Sequence, residues 1–196
     1  MLPKTPRQRL ALRQRLLLGL LLFSVAFTGL LVALRASGLV RPFHVPTQNS
    51  MTPAVQPGSY FLMEGITYLL RAPRRGEIVV FRTDGIGELT GGQILYKRVA
   101  GEPGDRVRIA EGRLFVNGRQ VTLSNAAGEI TYRETPREGV TPATNEVTVP
   151  PGCYFVLGDN SRNSFDSRHW GSLPRSNILG RVWWHYWPVR RAGAVK

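Results

Sequence analysis

The chain has 196 residues, 42% of them hydrophobic, and a formal net charge of +13. That length suits one globular body plus a membrane segment, and the apolar content excludes wholesale disorder. The charge is confined to the two ends, which fits an anionic membrane surface better than a nucleic-acid-reading face. Residues 1–41 carry seven basic groups and no acid, residues 42–167 carry 13 of each sign, and residues 168–196 carry six basic groups and no acid.

Residues 1–15 form a basic N-terminus with Lys4, Arg7, Arg9, Arg13 and Arg15. Leu16 to Leu34 then run without a charge, and Arg35 can snorkel so that the apolar part reaches Ala36. At 1.5 Å per residue this nearly matches a hydrocarbon core of roughly 30 Å. Positive charge before the run keeps the N-terminus cytoplasmic and exports the rest. Ala36-Ser37-Gly38 would pass as a signal-peptide cleavage site. The run exceeds the roughly 7–15 residues of a signal h-region, however, so residues 16–36 read as an uncleaved single-pass anchor.

Beyond Arg41 the chain turns to short β-rich runs punctuated by Pro and Gly. Strands are predicted at Ser59–Met63, Glu77–Arg82, Ile94–Val99, Val107–Ala110, Leu114–Val116, Val147–Val149, Tyr154–Leu157 and Arg181–Trp187. Asn117-Gly118 signals a two-residue hairpin. No run after the anchor has helical periodicity, so the body is mainly β. The loop with Asp84-Gly85-Ile86-Gly87 and Gly91-Gly92 is followed by a strand, where a phosphate-binding loop needs a helix. Thr122 to Thr144 is polar and reads as an irregular surface insertion. The lone Cys153 cannot close an intramolecular disulfide.

Of the 26 basic residues only three are Lys, and Lys4 and Lys196 lie in the tails. Lys97 is therefore the one lysine of the body, on an apolar run. A buried lysine can be shifted far enough to act as a base, whereas arginine cannot. Ser50, in Asn49-Ser50-Met51-Thr52-Pro53, is a nucleophile candidate that needs such a base. His44, His169 and His185 lack metal-type spacing and read as structural or interfacial. A Ser50–Lys97 dyad is the economical arrangement, with Arg98 available to repel the ammonium. In the polar run Gly158 to Gly171, Ser164 is placed to orient the lysine, and Asp166 with Arg168 to form a pair fixing the loop.

Four stretches occur together in the order Ser50-Met51 followed by Pro53, Arg75-Gly76-Glu77-Ile78-Val79-Val80-Phe81, the run from Tyr96-Lys97-Arg98 through Gly101-Glu102-Pro103-Gly104-Asp105, and the block from Val149-Pro150-Pro151-Gly152 through Gly158-Asp159-Asn160 to Asp166-Ser167-Arg168 and Trp170-Gly171. Together they resemble bacterial type I signal peptidase (leader peptidase), the Ser–Lys dyad serine proteases. The resemblance runs from Pro42 to about Pro188 and is weakest across the insertion.

It implies a serine endopeptidase of the bacterial cytoplasmic membrane, catalytic domain outside, that removes signal peptides from exported precursors after small residues at −1 and −3. Ser50 would be the nucleophile and Lys97 the general base, with Ser164 hydrogen-bonding the lysine and Asp166 and Arg168 in support. Pro46, Met51, Leu95 and Tyr96 would contact substrate. The implied fold is an antiparallel, barrel-like β domain of residues 42–105 and 149–189. Residues 106–148 would be a small inserted β subdomain, and residues 190–196 a basic tail. Partners would be precursor proteins, the bilayer and the export translocon, with no nucleic acid and no cofactor.

One departure concerns the oxyanion hole. The family usually has Pro-Ser-Gly-Ser-Met, whereas here Val45-Pro46-Thr47-Gln48-Asn49 precedes Ser50-Met51. The Ser50 N–H would give one donor and Thr47 or Gln48 the second. Two other readings stay open at this stage: a specialist peptidase for one exported or pilin-type protein, and an inactive anchored domain that binds exported chains. The Trp-rich run Arg181 to Pro188 reads as a last core strand, a membrane-facing edge, or both.

Overall fold

A computed structural model of the chain describes residues 6–133 and 146–195. Lys4, Lys196 and residues 134–145 of the expected insertion lie outside the described residues. The chain divides into two units, residues 1–38 and residues 39–196.

The first unit is helix α1 (Pro6–Ala36). It begins well before the uncharged run, because the Arg, Gln, Leu and Ala residues there are all good helix formers and Pro suits a first helical position. It closes at Gly38, at φ 72°, whose N–H donates to the Arg35 carbonyl. Within it, the 25 residues Leu12–Ala36 are long and apolar enough to cross a bilayer by length and composition.

The second unit is mainly β. Its strands are β1 (Val40–His44), β2 (Tyr60–Glu64), β3 (Ile78–Arg82), β4 (Ile94–Gly101), β5 (Arg106–Ala110), β6 (Arg113–Val116), β7 (Arg119–Val121), β8 (Ser124–Asn125), β9 (Gly128–Glu129), β10 (Val147–Thr148), β11 (Cys153–Leu157), β12 (Leu173–Pro174), β13 (Ile178–Trp187) and β14 (Gly193–Ala194). Two four-residue helices, α2 (Thr67–Leu70) and α3 (Ser167–Trp170), interrupt them. The main sheet has eight strands in the order β1-β2-β13-β3-β4-β11-β12, with β14 also on β13. A second sheet has the order β10-β5-β6-β7, and β8 pairs with β9. All pairings are antiparallel, and bulges in β13 and in β4 at Ala100 curl the main sheet.

Strands β3 and β11 read as nearly unbroken apolar runs because both of their faces are covered. On β3, Ile78 and Val80 enter a cluster with Met51, Val55, Phe61 and Tyr96, while Val79 and Phe81 enter another with Val99, Val156 and Trp170. On β11, Tyr154 and Val156 join that second cluster, and Phe155 and Leu157 join a third with Val107, Ile109 and Leu114. Alternation at period two thus feeds separate cores from one strand. The Asn117-Gly118 hairpin forms as read, with both residues at positive φ (53° and 77°) between β6 and β7.

One expectation needs correction, and two other segments gain detail. Thr122 to Thr144 is not simply a surface insertion, since Leu123, Ile130 and Tyr132 are buried in the third cluster and β8–β9 forms a hairpin between them. Only spaced single apolar residues carry that burial, so no periodicity announces it. The basic tail carries a short strand: Gly193 and Ala194 pair with His185 and Trp184 on the side of β13 opposite β2. In the Trp-rich run, Val182 and His185 are buried, but Trp183, Trp184 and Trp187 are all exposed. Register shifts between Val182 and Trp184 and between His185 and Trp187 break the simple alternation and turn the three indoles outward.

Candidate active site

Lys97 sits on β4 opposite Val79 of β3, and its side chain is 4% exposed. Its Nζ lies 2.7 Å from Ser50 Oγ and 3.3 Å from the Tyr96 carbonyl oxygen. Desolvation by burial is the largest influence on this amine and lowers its pKa to about 8. Asp166 and Asp159 push the other way, and Arg168 adds to the lowering. Arg98 does not supply the expected repulsion. Its guanidinium forms a buried bidentate pair with Asp159 at 2.8 and 2.7 Å, so its charge is cancelled locally.

Ser50 stands in the turn that follows β1. The Met51 carbonyl accepts from the Val55 N–H and the Asn49 carbonyl from the Thr52 N–H, so the chain just after Ser50 is helically wound. The Asn160 N–H donates to the Ser50 carbonyl at 3.0 Å, and the Asp159 N–H meets Met51 Sδ at 3.4 Å. Two loops distant in sequence are thereby laid together. Gly158 lets them touch: a Cβ there would overlap Ser164 Oγ and lie 2.6 Å from the Ser50 carbonyl oxygen. Gly158→Ala is therefore expected to destabilise the protein by about 1–3 kcal/mol, read as a lower midpoint of thermal unfolding.

Asp166 and Arg168 form the ion pair at the base of the second loop. Arg168 Nε and Nη2 each reach an Asp166 oxygen at 2.8 Å, with both side chains fully buried. Arg168 also donates to Ser161 Oγ, to the Ser161 carbonyl and to the Arg133 carbonyl. Asp166 accepts from the Gly158 and Arg168 N–H groups and caps α3, and His169 completes that capping box from its other side. The hydrogen bond expected between Ser164 and Lys97 is not formed here. Ser164 Oγ is buried without a partner among the described residues, held at the back of the site against Gly158.

Of the residues expected to contact substrate, Met51 and Tyr96 are buried in one apolar cluster, and Leu95 packs against another. Pro46, Thr47 and Gln48 are exposed on the loop before Ser50. The histidines are engaged elsewhere: His44 stacks on Tyr60, and His185 lies between the carbonyls of Arg191 and Trp187. Sequence reading gave no role to Asp159 or Ser161. The signal for Asp159 was available, because an arginine on the same apolar strand as Lys97 needs a buried carboxylate.

Residues 17–187 match the family described as signal peptidase, peptidase S26. The chain belongs to this family. Among its members, the probable signal peptidase I-2 of Synechocystis sp. is 39% identical over 153 residues, covering 78% of this chain and 65% of that protein. Signal peptidase I of Leptolyngbya laminosa is 34% identical over 78% of this chain and 71% of its own length. Signal peptidase I of Bacillus caldolyticus is 32% identical over 76% of this chain and 80% of its own length. The chain thus spans just under two thirds of the Synechocystis family member.

Proposed function

We propose that this chain is a membrane-anchored serine endopeptidase that cleaves signal peptides from exported precursor proteins. The reading rests above all on the 2.7 Å contact between Ser50 Oγ and the buried Lys97 Nζ. Neutral Lys97 takes the Ser50 proton as Oγ attacks the scissile carbonyl, and the resulting ammonium protonates the departing amine. Water then enters by the reverse path, activated by the same amine, and releases the signal peptide from the acyl-enzyme. The Ser50 N–H and a second donor, the Thr47 hydroxyl or the Gln48 amide, hold the oxyanion.

Substrate would lie extended along β4. β11 pairs with β4 only from Arg98 onward, so Ile94–Tyr96 keeps a strand edge beside Ser50 for backbone pairing. A preference for small side chains at −1 and −3 would follow from shallow apolar pockets, each methylene of excess costing about 1–3 kcal/mol. α1 is the anchor of a bacterial cytoplasmic membrane protein, with the basic N-terminus inside and the β body outside. The exposed Trp183, Trp184 and Trp187 suit the lipid interface, and delivery of substrate would bring the body beside the export translocon.

The test is cleavage of a precursor bearing an Ala-X-Ala site by the detergent-solubilised chain, beside Ser50→Ala. Cleavage by the native chain alone supports the reading, and an inert native chain refutes it. Because the neutral amine is the active form, kcat/KM is expected to rise with pH through an apparent pKa of about 8. A rate constant flat from pH 6 to 10 would rule out Lys97 as the base.

A further inference from the structure

Asn49, immediately before Ser50, makes a contact that the sequence did not announce. Its Oδ1 accepts from Asn163 Nδ2 at 2.5 Å, and its carbonyl accepts from Asn160 Nδ2 at 3.2 Å. We propose that Asn49 and Asn163 are positioning residues that clamp the nucleophile loop onto the loop held by Asp166 and Arg168. The inference rests on Ser50 acting as the nucleophile.

The argument is mechanical. Apart from the Ser50 Oγ–Lys97 Nζ contact itself, the described tethers of Ser50 and Met51 lie on their carbonyl side or on the Met51 side chain. Upstream of Asn49, whose carbonyl accepts from the Thr52 N–H and from Asn160 Nδ2, the next backbone anchor is Val45, whose N–H and carbonyl pair with Ser59 and Gly58. Between them, Pro46, Thr47 and Gln48 are exposed. The Asn49 side chain is placed to stop this span from twisting the Ser50 Cα–Cβ bond away from Lys97. Its partner is well founded: Asn163 ends the 3-10 turn Ser161–Asn163, and Ser161 is gripped by Arg168 through both its hydroxyl and its carbonyl. A continuous path therefore runs from the buried Asp166–Arg168 pair through Ser161 and Asn163 to Asn49 and the reacting hydroxyl. An exposed amide pair adds little to global stability. Small displacements of a nucleophile, in contrast, are expensive in rate.

The experiment compares Asn49→Ala, Asn163→Ala and the double variant, each as the full chain in detergent. Each single variant is expected to lose about tenfold in kcat, with KM, Tm and the pH midpoint unchanged. The double variant should be no slower than either single one, since both break one contact. Full kcat in the single variants, losses that multiply in the double, or a loss accompanied by a matching fall in Tm would each overturn the clamp. Amide hydrogen exchange reads it without substrate: Asn163→Ala should speed exchange at Thr52 and Val55, and unchanged exchange overturns it. An inert native chain would refute the proposed activity separately, leaving the exchange result to decide the clamp.

Discussion

Lys97→Met is expected to abolish cleavage, by a factor of about 10⁴ or more, while leaving the fold at least as stable at pH 7. Methionine approximates the lysine stem and removes only the amine that must accept the Ser50 proton. The stability half follows from linkage. The folded pKa of about 8 lies below the unfolded value of about 10.4, so the unfolded chain binds more protons between them. Stability therefore rises with pH across that window, and the penalty for holding a buried amine is fully present below it. Methionine carries no such penalty. Lys97→Arg should be equally inactive, because a guanidinium does not deprotonate. Ser50→Ala should match these losses, and combining it with Lys97→Met should add little, since the two groups act as a unit. Rates on the precursor with parallel thermal melts check both halves. Substantial cleavage by Lys97→Met would remove the amine from the mechanism.

Asp166→Ala should have the largest effect on stability. The Asp166 carboxylate accepts from Arg168 through its side chain and its N–H, and from the Gly158 N–H, with no exposure to solvent. Deleting it leaves a buried guanidinium uncompensated, at about 3–5 kcal/mol. For a chain of this size that is a fall in Tm of roughly 6–20 °C. Activity should fall too, because the loop carrying Asn160 and Asn163 loses its anchor. Asp166→Asn keeps the shape and one acceptor and should be milder. Equal melting of the native chain and Asp166→Ala would show that the pair does not hold the loop.

The sequence made the apolar helix, most main strands and the Asn117-Gly118 turn legible because each depends on local chemistry. Lys97 was conspicuous because every other basic side chain between residues 5 and 195 is arginine. What escaped depends on partners far along the chain. β1, with Pro42 and the charged Arg41, reads poorly as a strand and is held by β2 through pairs such as Phe43↔Phe61. β13 inserts between β2 and β3, a pairing of segments roughly a hundred residues apart that no local pattern encodes. The same holds for Asp159 facing Arg98 and for Asn163 reaching Asn49. Ser164 shows the limit of carrying roles by motif: its hydroxyl is buried beside Gly158 and makes no hydrogen bond to the lysine here.

The chain holds only Lys4, Lys97 and Lys196, so its lysine amines can be followed individually. Titrating the Nζ resonances of the full chain labelled with ¹⁵N-lysine, with Lys97→Met to assign the signal, reads the proposed base directly. The signal that Lys97→Met removes should titrate near pH 8. That signal titrating near the ordinary value of about 10.4 would mean that Lys97 is an ordinary solvated ammonium, and the dyad would fall with it.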